Sequence, residues 1–199
     1  HIDRENRIME LKRVLLKLSG EALAGDKKTG FDEATVKEVA RQLDAVDDGI
    51  EVGIVIGGGN FWRGRQSNAI DRTKADQIGM LATVMNCIYV SEIFRSEGMM
   101  TQILTPFECG SNDEAVFKGQ ANKYFSKGMV DFFAGGTGHP YFSTDTGVAL
   151  RAFEMDADCI LLAKAITGVY EQRSEDQLDA KKYDTITIQE VIDKQWRSR

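Results

Sequence analysis

Short runs of β-branched and aliphatic residues alternate with longer amphipathic stretches along most of this chain of 199 residues. The runs have the length and composition of β-strands, and the apolar spacing between them is that of α-helices. Regular alternation of strands and helices is typical of a mostly parallel sheet with helices on both faces. The sequence therefore predicts an α/β fold, a three-layer αβα sandwich, with strands at 13–18, 52–56, 99–104, 129–134 and 158–163.

Apolar spacing also predicts the individual helices. Apolar residues recur at intervals of three and four between Asp32 and Gly49, which predicts a helix that begins near the first and ends at the second. A long helix is predicted from Asp71 to Glu97, and shorter helices are predicted at 114–125 and 144–155. We expect the long helix to bury the face that carries Ile78, Leu81, Met85, Ile88 and Phe94.

The long helix has more apolar residues than one core-facing stripe requires. A surplus of this kind on a helix is typical of a contact with another subunit. We therefore expect a second subunit to cover part of this surface, which is formed by Met80, Met85, Ile88, Tyr89 and Ile93.

Composition and charge exclude several classes of protein. The chain has 25 Lys and Arg against 31 Asp and Glu, a net charge of −6, which argues against a general nucleic-acid-binding protein. Uninterrupted apolar runs are far too short to cross a bilayer, so no membrane partner is expected. Cys87, Cys109 and Cys159 are widely spaced, and only His1 and His139 could supply imidazole. This pattern favours thiols in a reducing cytoplasm over a disulfide framework or a zinc site.

No Pro- or Ser-rich linker divides the chain, and no repeat is visible. We expect residues 1–8 to be a tag or an alternative-start remnant, because Met9 is a plausible initiator just before the first strand. The single remaining domain then spans residues 9–199.

Three loops rich in glycine follow predicted strands. They are Lys17-Leu18-Ser19-Gly20-Glu21, Gly57-Gly58-Gly59-Asn60 and Gly135-Gly136-Thr137-Gly138. Ligands of open parallel sheets bind beyond the carboxyl ends of the strands, and consecutive glycine amides can form an anion-binding nest. One such loop alone is more often a simple turn, but three together favour a polyphosphate site. The loops contain neither GxxxxGK[ST] nor GxGxxG, so the site is of another kind.

Each charged residue near these loops has two possible interpretations, one as part of a site and one as an ordinary structural residue. Lys17, inside an apolar strand, either binds an anion or extends to solvent. Arg63 and Arg65 either grip phosphate in a bidentate manner or lie on a solvated surface. Asp145 either orients a lysine or Mg²⁺ near the transferred phosphate, or is an acidic residue favoured by the dipole of a helix N-terminus.

Four segments resemble one family. Residues 12–23, 55–64, Asp76 with 79–86, and 134–145 are similar to segments of bacterial uridylate (UMP) kinases, and the resemblance extends from Lys12 to about Tyr170. It implies the amino-acid-kinase fold and the transfer of a phosphoryl group from ATP to UMP, giving UDP, with Mg²⁺ as cofactor. It also implies a role in pyrimidine nucleotide biosynthesis in the cytoplasm. The implied assembly is a homohexamer activated by GTP and inhibited by UTP.

Matching positions carry the family's site residues onto this chain. The resemblance assigns ATP to Lys17, Leu18, Ser19, Gly20, Gly59, Arg63 and Tyr170. It assigns UMP to Gly58, Asp76, Thr137, Gly138, His139, Pro140, Tyr141, Phe142, Ser143 and Thr144. The implied catalytic residues are Lys17, Arg63 and Asp145, and no metal ligand is assigned directly. Asp76 would accept hydrogen bonds from the ribose hydroxyls.

The chain departs from the family pattern at several positions. His139 stands where asparagine is usual, Thr167 replaces an aspartate, and Arg173 replaces an aspartate of the ATP side. The sequence also stops at Arg199, before the family's usual C-terminal segment. Two alternatives stay open: a kinase acting on a carboxylate or carbamate, such as acetylglutamate or aspartate kinase, and a nucleotide-binding protein without turnover.

Overall fold

The structure, a computed structural model, describes residues 11–46, 49–63, 69–110, 113–115, 118–163, 169–170 and 182–183. Its strands are β1 (Arg13–Leu18), β2 (Glu51–Ile56), β3 (Thr101–Thr105), β4 (Asp113–Ala115), β5 (Val130–Phe133), β6 (Cys159–Ala163), β7 (Val169–Tyr170) and β8 (Lys182–Tyr183). Its α-helices are α1 (Gly20–Leu23), α2 (Glu33–Asp44), α3 (Arg72–Ser96), α4 (Lys118–Phe125) and α5 (Thr144–Glu154).

Within these residues six strands form one sheet in the order β4-β3-β5-β2-β1-β6, and every neighbouring pair is parallel. The short strands β7 and β8 pair with each other in antiparallel fashion. Strand β1 lies between β2 and β6, so both of its hydrogen-bonding edges are paired. This arrangement confirms the predicted parallel α/β fold.

Successive side chains of β1 enter two different hydrophobic cores, as the alternation of a strand requires. Val14 and Leu16 pack in the core that α2 and α3 cover, whereas Leu15 packs in the core that α4 and α5 cover. Helices therefore lie on both faces of the sheet, and the three layers are those that the sequence predicted.

Helix α2 begins where the sequence predicted. The carboxylate of Asp32 accepts hydrogen bonds from the backbone N–H of Thr35 at 3.1 Å and from its hydroxyl at 2.5 Å. These bonds cap the helix and lower the pKa of Asp32. The helix ends at Asp44, before the predicted end at Gly49.

Helix α3 has the predicted extent, but the prediction of its buried face was wrong. Phe94 is fully buried as expected, whereas four apolar residues on one face are exposed: Ile78, Leu81, Met85 and Ile88. The buried side instead carries Val84, Cys87 and Val90 together with small and polar residues, among them Ala82, Thr83, Asn86 and Ser91. Small side chains let the helix approach the sheet closely, so apolar spacing alone identified the wrong side.

By length and composition alone, α3 could also cross a membrane. Its contacts with α2, β2, β3 and β5 place it in the core of this domain.

The predicted helix at 114–125 begins later than expected. Asp113–Ala115 is a strand that pairs with β3, with Ile103 opposite Asp113, and the helix itself begins at Lys118. A three-residue edge strand is too short for side-chain alternation to reveal it. Pairing with the open edge of β3 therefore decided the local structure, against the helical pattern.

Candidate active site

A cleft of about 550 Å³ opens at the carboxyl ends of the strands. The loops after β1, β2 and β5 and the first half of α3 surround it, so the structure brings the three glycine loops together. The cleft is lined by these residues from the sequence-based assignments: Lys17, Ser19, Gly20, Gly58, Gly59, Asp76, Thr137, His139, Phe142, Ser143 and Thr144. A cavity of this size is typical of a small-molecule site.

Lys17 supplies a cation to the floor of this cleft. It is the fifth residue of β1, and its side chain is 14% exposed. Its ammonium forms an ion pair with the carboxylate of Asp145, whose side chain is 66% exposed. Because the carboxylate lies in solvent, a phosphate could take its place beside the ammonium without leaving a buried charge unpaired.

The loops after β1 and β2 are packed backbone against backbone. A Cβ on Gly20 would lie 2.3 Å from the carbonyl oxygen of Gly57, so only glycine fits there. The backbone N–H of Gly57 in turn donates to the carbonyl of Leu18 at 3.0 Å. The close approach leaves no room for a side chain between the two loops.

Two buried amides fix this junction. The side-chain amide of Asn86, on α3, donates to the carbonyl of Gly57 at 2.7 Å and to Oδ1 of Asn60 at 2.8 Å. Asn60 returns a bond to Oδ1 of Asn86 at 3.0 Å and donates to the carbonyl of Gly30 at 2.9 Å. Neither amide is charged, so the pair holds the loops without competing for a phosphate.

Arg63 contacts two residues that line the cleft, Glu21 and Gly59. Its guanidinium pairs with Glu21 at 2.8 Å and donates to the carbonyl of Gly59 at 3.4 Å. Both side chains are about half exposed, so the arginine can exchange this carboxylate for another anion. It therefore joins the loop after β2 to the segment after β1 from the solvent side.

The loop after β5 needs its glycines for conformational reasons. Gly135, Gly136 and Gly138 have φ values of 76°, 59° and 81°, in the left-handed region. The hydroxyl of Thr83 accepts from the N–H of Gly135 at 2.8 Å, and the buried Arg151 donates to the carbonyl of Gly136 at 3.0 Å. Helices α3 and α5 thus hold this loop from two sides.

Asp76 anchors the segment that follows. Its carboxylate accepts from the backbone N–H of Tyr141 at 2.7 Å and lies 3.7 Å from the guanidinium of Arg72. Arg72 also lies 4.7 Å from the centre of the Tyr141 ring. Because Asp76 lines the cleft as well, it can hold this loop and still present an oxygen to a ligand.

The segment ends at the N-terminus of α5. The hydroxyl of Ser143 accepts from the N–H of Thr146 at 3.2 Å and caps the helix. This cap places Asp145 in the first turn, where the helix dipole favours a carboxylate. Both readings of Asp145 from the sequence are therefore compatible with its position.

Several assigned residues do not line the cleft, among them Arg63 and Asp145, which each pair with a residue that does. The side chain of Leu18 belongs to the hydrophobic core. Gly138, Pro140 and Tyr141 lie in the loop after β5 but outside the cleft lining, and Tyr141 is exposed. Tyr170 lies in β7, and its side chain is outside the described part of the structure. Arg65, Thr167 and Arg173 also lie outside the described residues.

Sequence reasoning gave no role in the site to six residues that line the cleft, although it expected Met80 in a subunit contact: Ala75, Ala163, Trp62, Gly79, Met80 and Thr83. The last three lie on the helix face that carries Asp76, at offsets of three, four and seven residues. Helical spacing from Asp76 would have found them. Trp62 carried no such signal, because its position depends on how the loop after β2 folds against α3.

Among the described residues no group of three or more His, Cys, Asp or Glu side chains could hold a metal ion. The carboxylates at the cleft, Asp76, Asp145 and Glu21, each have a basic partner instead. A divalent cation here would therefore depend on ligand oxygens, as Mg²⁺ does when it is bound mainly through phosphates.

Comparisons with known proteins agree with this architecture. The model of the amino acid kinase family matches residues 12–199. A UMP kinase from Bacillus anthracis is 34% identical, with a TM-score of 0.76, over 94% of this chain and 79% of that one. A UMP kinase from Ureaplasma parvum is 30% identical, with a TM-score of 0.76, over 94% and 81%. A uridylate kinase from Archaeoglobus fulgidus, 24% identical with a TM-score of 0.56 over 86% and 72%, shares the fold.

Proposed function

The chain belongs to the amino acid kinase family, and we propose that it transfers the γ-phosphoryl group of ATP to UMP, giving ADP and UDP. The observation that carries this proposal is the meeting of Lys17, three glycine loops and Asp76 around one cleft. UMP kinases that resemble nearly all of the chain support the choice of acceptor. The product would serve pyrimidine nucleotide biosynthesis in the cytoplasm.

The two halves of the cleft suit two different ligands. The loops after β1 and β2 present backbone N–H groups, Lys17 and Arg63, which suit the phosphates of ATP. The other half contains Asp76, whose carboxylate would repel a phosphate but can accept hydrogen bonds from a ribose. The loop from Thr137 to Thr144 closes that half, so we assign it to UMP.

The reaction requires no general base. The second pKa of a phosphate monoester is about 6, so the phosphate of UMP, which accepts the transferred group, is already largely ionised at neutral pH. Rate enhancement then depends on alignment and on neutralising the charge that spreads over the transferred group. Lys17 can supply that charge when it exchanges Asp145 for phosphate, and Arg63 can do so when it exchanges Glu21.

Mg²⁺ is the proposed cofactor and would enter with ATP. When bound, such an ion would neutralise part of the charge on the phosphates. The exposed carboxylate of Asp145 lies beside Lys17 and is of the type that Mg²⁺ accepts, so it could contribute one ligand while the phosphates supply the others. Asp145 would then either help to hold the ion or orient the lysine.

A homohexamer, activated by GTP and inhibited by UTP, is part of the same proposal. The exposed apolar stripe of α3 formed by Ile78, Leu81, Met85 and Ile88 supports contact with a second copy. Of the residues expected in that contact, Tyr89 and Ile93 pack on the core and Met80 lines the cleft, so the stripe replaces them.

We expect Leu81→Glu to reduce the molar mass measured by light scattering; an unchanged mass would remove the stripe from the interface.

The direct test of the reaction is ³¹P NMR of a mixture of enzyme, ATP, Mg²⁺ and UMP. We expect the resonances of UDP and ADP to grow together, and we expect no change when Lys17→Ala replaces the wild type over the same time. Release of inorganic phosphate without UDP would contradict the proposal, because water would then be the acceptor.

A further inference from the structure

Helix α3 contains a glycine that the fold itself does not require. Gly79 lies within the helix, where glycine is less favourable than any residue except proline. A Cβ placed on it would meet only Cδ1 of Trp62 at 3.6 Å, an ordinary van der Waals contact. Its φ lies outside the left-handed region. The folded chain therefore has room for alanine at this position.

Two other glycines near the cleft differ from Gly79. A Cβ on Gly58 would lie 3.0 Å from both the Cβ of Ala82 and the carbonyl oxygen of Gly79, and one on Gly147 would lie 3.3 Å from the Cα of Gly136. Close packing explains glycine at both positions. Nothing in the packing of the described residues explains Gly79 in that way.

Gly79 lines the cleft on the face of α3 that carries Asp76. Residues three apart on a helix are about 5–6 Å apart, an offset similar to that between the ribose and the base of a nucleotide. Trp62 borders the same space across from the helix. The missing side chain leaves a shallow space beside the helix backbone, one turn from the carboxylate of Asp76 that is assigned to ribose.

We infer that Gly79 forms part of the acceptor site, because it lets the flat pyrimidine nucleoside of the acceptor pack against the backbone of α3. This inference rests on the proposed function. The ribose binds at Asp76, and the nucleoside extends across Gly79 towards Trp62. Even a methyl group at position 79 occupies the space that the nucleoside needs.

The test compares Gly79→Ala with the matched variant Gly119→Ala, which changes an exposed glycine of α4. Calorimetric titration with UMP, without ATP, measures acceptor affinity apart from turnover. We expect Gly79→Ala to weaken UMP binding and raise the KM for UMP about tenfold or more, the scale of one methyl-sized misfit. We expect the KM for ATP and kcat to stay at wild-type values and the melting temperature to stay the same or rise. Gly119→Ala should bind UMP as wild type does.

Each other outcome has a defined meaning. If wild type phosphorylates UMP and Gly79→Ala binds it as tightly as wild type does, the inference is wrong and the proposed function stands. If Gly79→Ala loses stability relative to Gly119→Ala, packing explains the glycine and the inference is also overturned. If wild type neither binds nor phosphorylates UMP, the proposed function fails, and the inference fails with it.

Discussion

The two ends of the central sheet both gather charged side chains, but they hold them in opposite ways. At the carboxyl end, Lys17 pairs with a carboxylate that is largely in solvent. At the amino end, Arg13 pairs with Glu51 at 2.7 Å and also donates to Asn122 at 2.9 Å and to the carbonyl of Met155 at 2.5 Å. One strand, β1, supplies both cations.

The two cations are similarly buried, with 16% of the Arg13 side chain and 14% of the Lys17 side chain exposed, but Glu51 is 32% exposed whereas Asp145 is 66% exposed. The guanidinium of Arg13 lies 4.5 Å from the centre of the Phe125 ring, so even its face is covered. Asp131 on β5 is fully buried nearby, and its carboxyl oxygens have no partner among the described residues. Burial raises the pKa of Asp131 to about 8; the charge of Arg13 opposes this rise and that of Glu51 adds to it.

The two ends of the sheet therefore have different roles: the charged groups at the amino end stabilise the fold, and those at the carboxyl end are available to a ligand. Several protein groups share Arg13, so it cannot turn to a ligand without leaving those groups unpaired. Lys17 has one exposed partner and can exchange it at small cost. The account therefore predicts that substitutions at the amino end change the free energy of unfolding, and that substitutions at the carboxyl end change kinetics.

The largest effect is expected for Lys17→Ala. Loss of one preorganised charge at the transferred group should lower kcat by about 10²–10³. The melting temperature should change little, because the apolar neighbours on β1 remain. The matched control is Lys12→Ala, which removes an exposed lysine just before the other end of the strand and should leave kcat unchanged. A folded Lys17→Ala enzyme with wild-type kcat would remove Lys17 from the chemistry.

Arg13→Ala should have the opposite profile. It leaves Glu51, Asn122 and the Met155 carbonyl without their donor, so we expect the free energy of unfolding to fall by roughly 3 kcal/mol. Urea denaturation measures this change, and kcat of the folded variant should match wild type. A stable variant with impaired kcat would show that the two ends do not divide the roles in this way.

Asp76→Asn sharpens the comparison within the cleft. The amide oxygen can still accept from the N–H of Tyr141, so the loop should stay anchored, but the charge is lost. A charge-assisted hydrogen bond to ribose contributes roughly 1.5–3 kcal/mol, so the KM for UMP should rise about tenfold or more. Asp71→Asn is the control, because asparagine caps a helix as well as aspartate does. An unchanged KM for UMP would leave Asp76 with only the role of a loop anchor.

The smallest effect concerns pH. The pKa of Asp131 is about 8 in the folded chain and near 3.8 when unfolded, so between these values the folded state binds one more proton. Stability from this group is greatest at low pH and falls as pH rises, by up to about 1.4 kcal/mol per unit between pH 6 and 7. Asp131→Asn should remove this pH dependence, which is obtained by comparing the free energies of unfolding from denaturation curves at pH 6 and at pH 7. An equal change in the free energy of unfolding between the two pH values in wild type and in Asp131→Asn would contradict the assigned pKa.

Much of the fold, and the end of the sheet at which the cleft lies, could be predicted from sequence. The bounds of β1 and α3 follow from apolar patterning and caps, and the glycine loops pointed to the correct end of the sheet. The bond from Asn86 to Gly57 could not be predicted, because it joins elements 29 residues apart. Nor could the exposed side of α3, because Asn86 and Thr83 are polar residues buried through contacts with distant loops.

The same limit applies to the amino end. Arg13 and Glu51 look like ordinary surface charges in the sequence, and only the parallel register of β1 and β2 places them side by side. Asp131 interrupts an apolar strand, which marks it as unusual, but its burial depends on the strands and helices that surround it.

Acceptor choice tests the central claim most directly. Initial rates of ADP release would be measured with ATP and Mg²⁺ in the presence of UMP, CMP, acetylglutamate, aspartate or no acceptor. The account predicts that UMP gives the highest rate by far, and that the rate without acceptor stays at background. A higher rate with acetylglutamate or aspartate would show that the cleft serves a carboxylate, and background rates with every acceptor would contradict the proposed phosphoryl transfer.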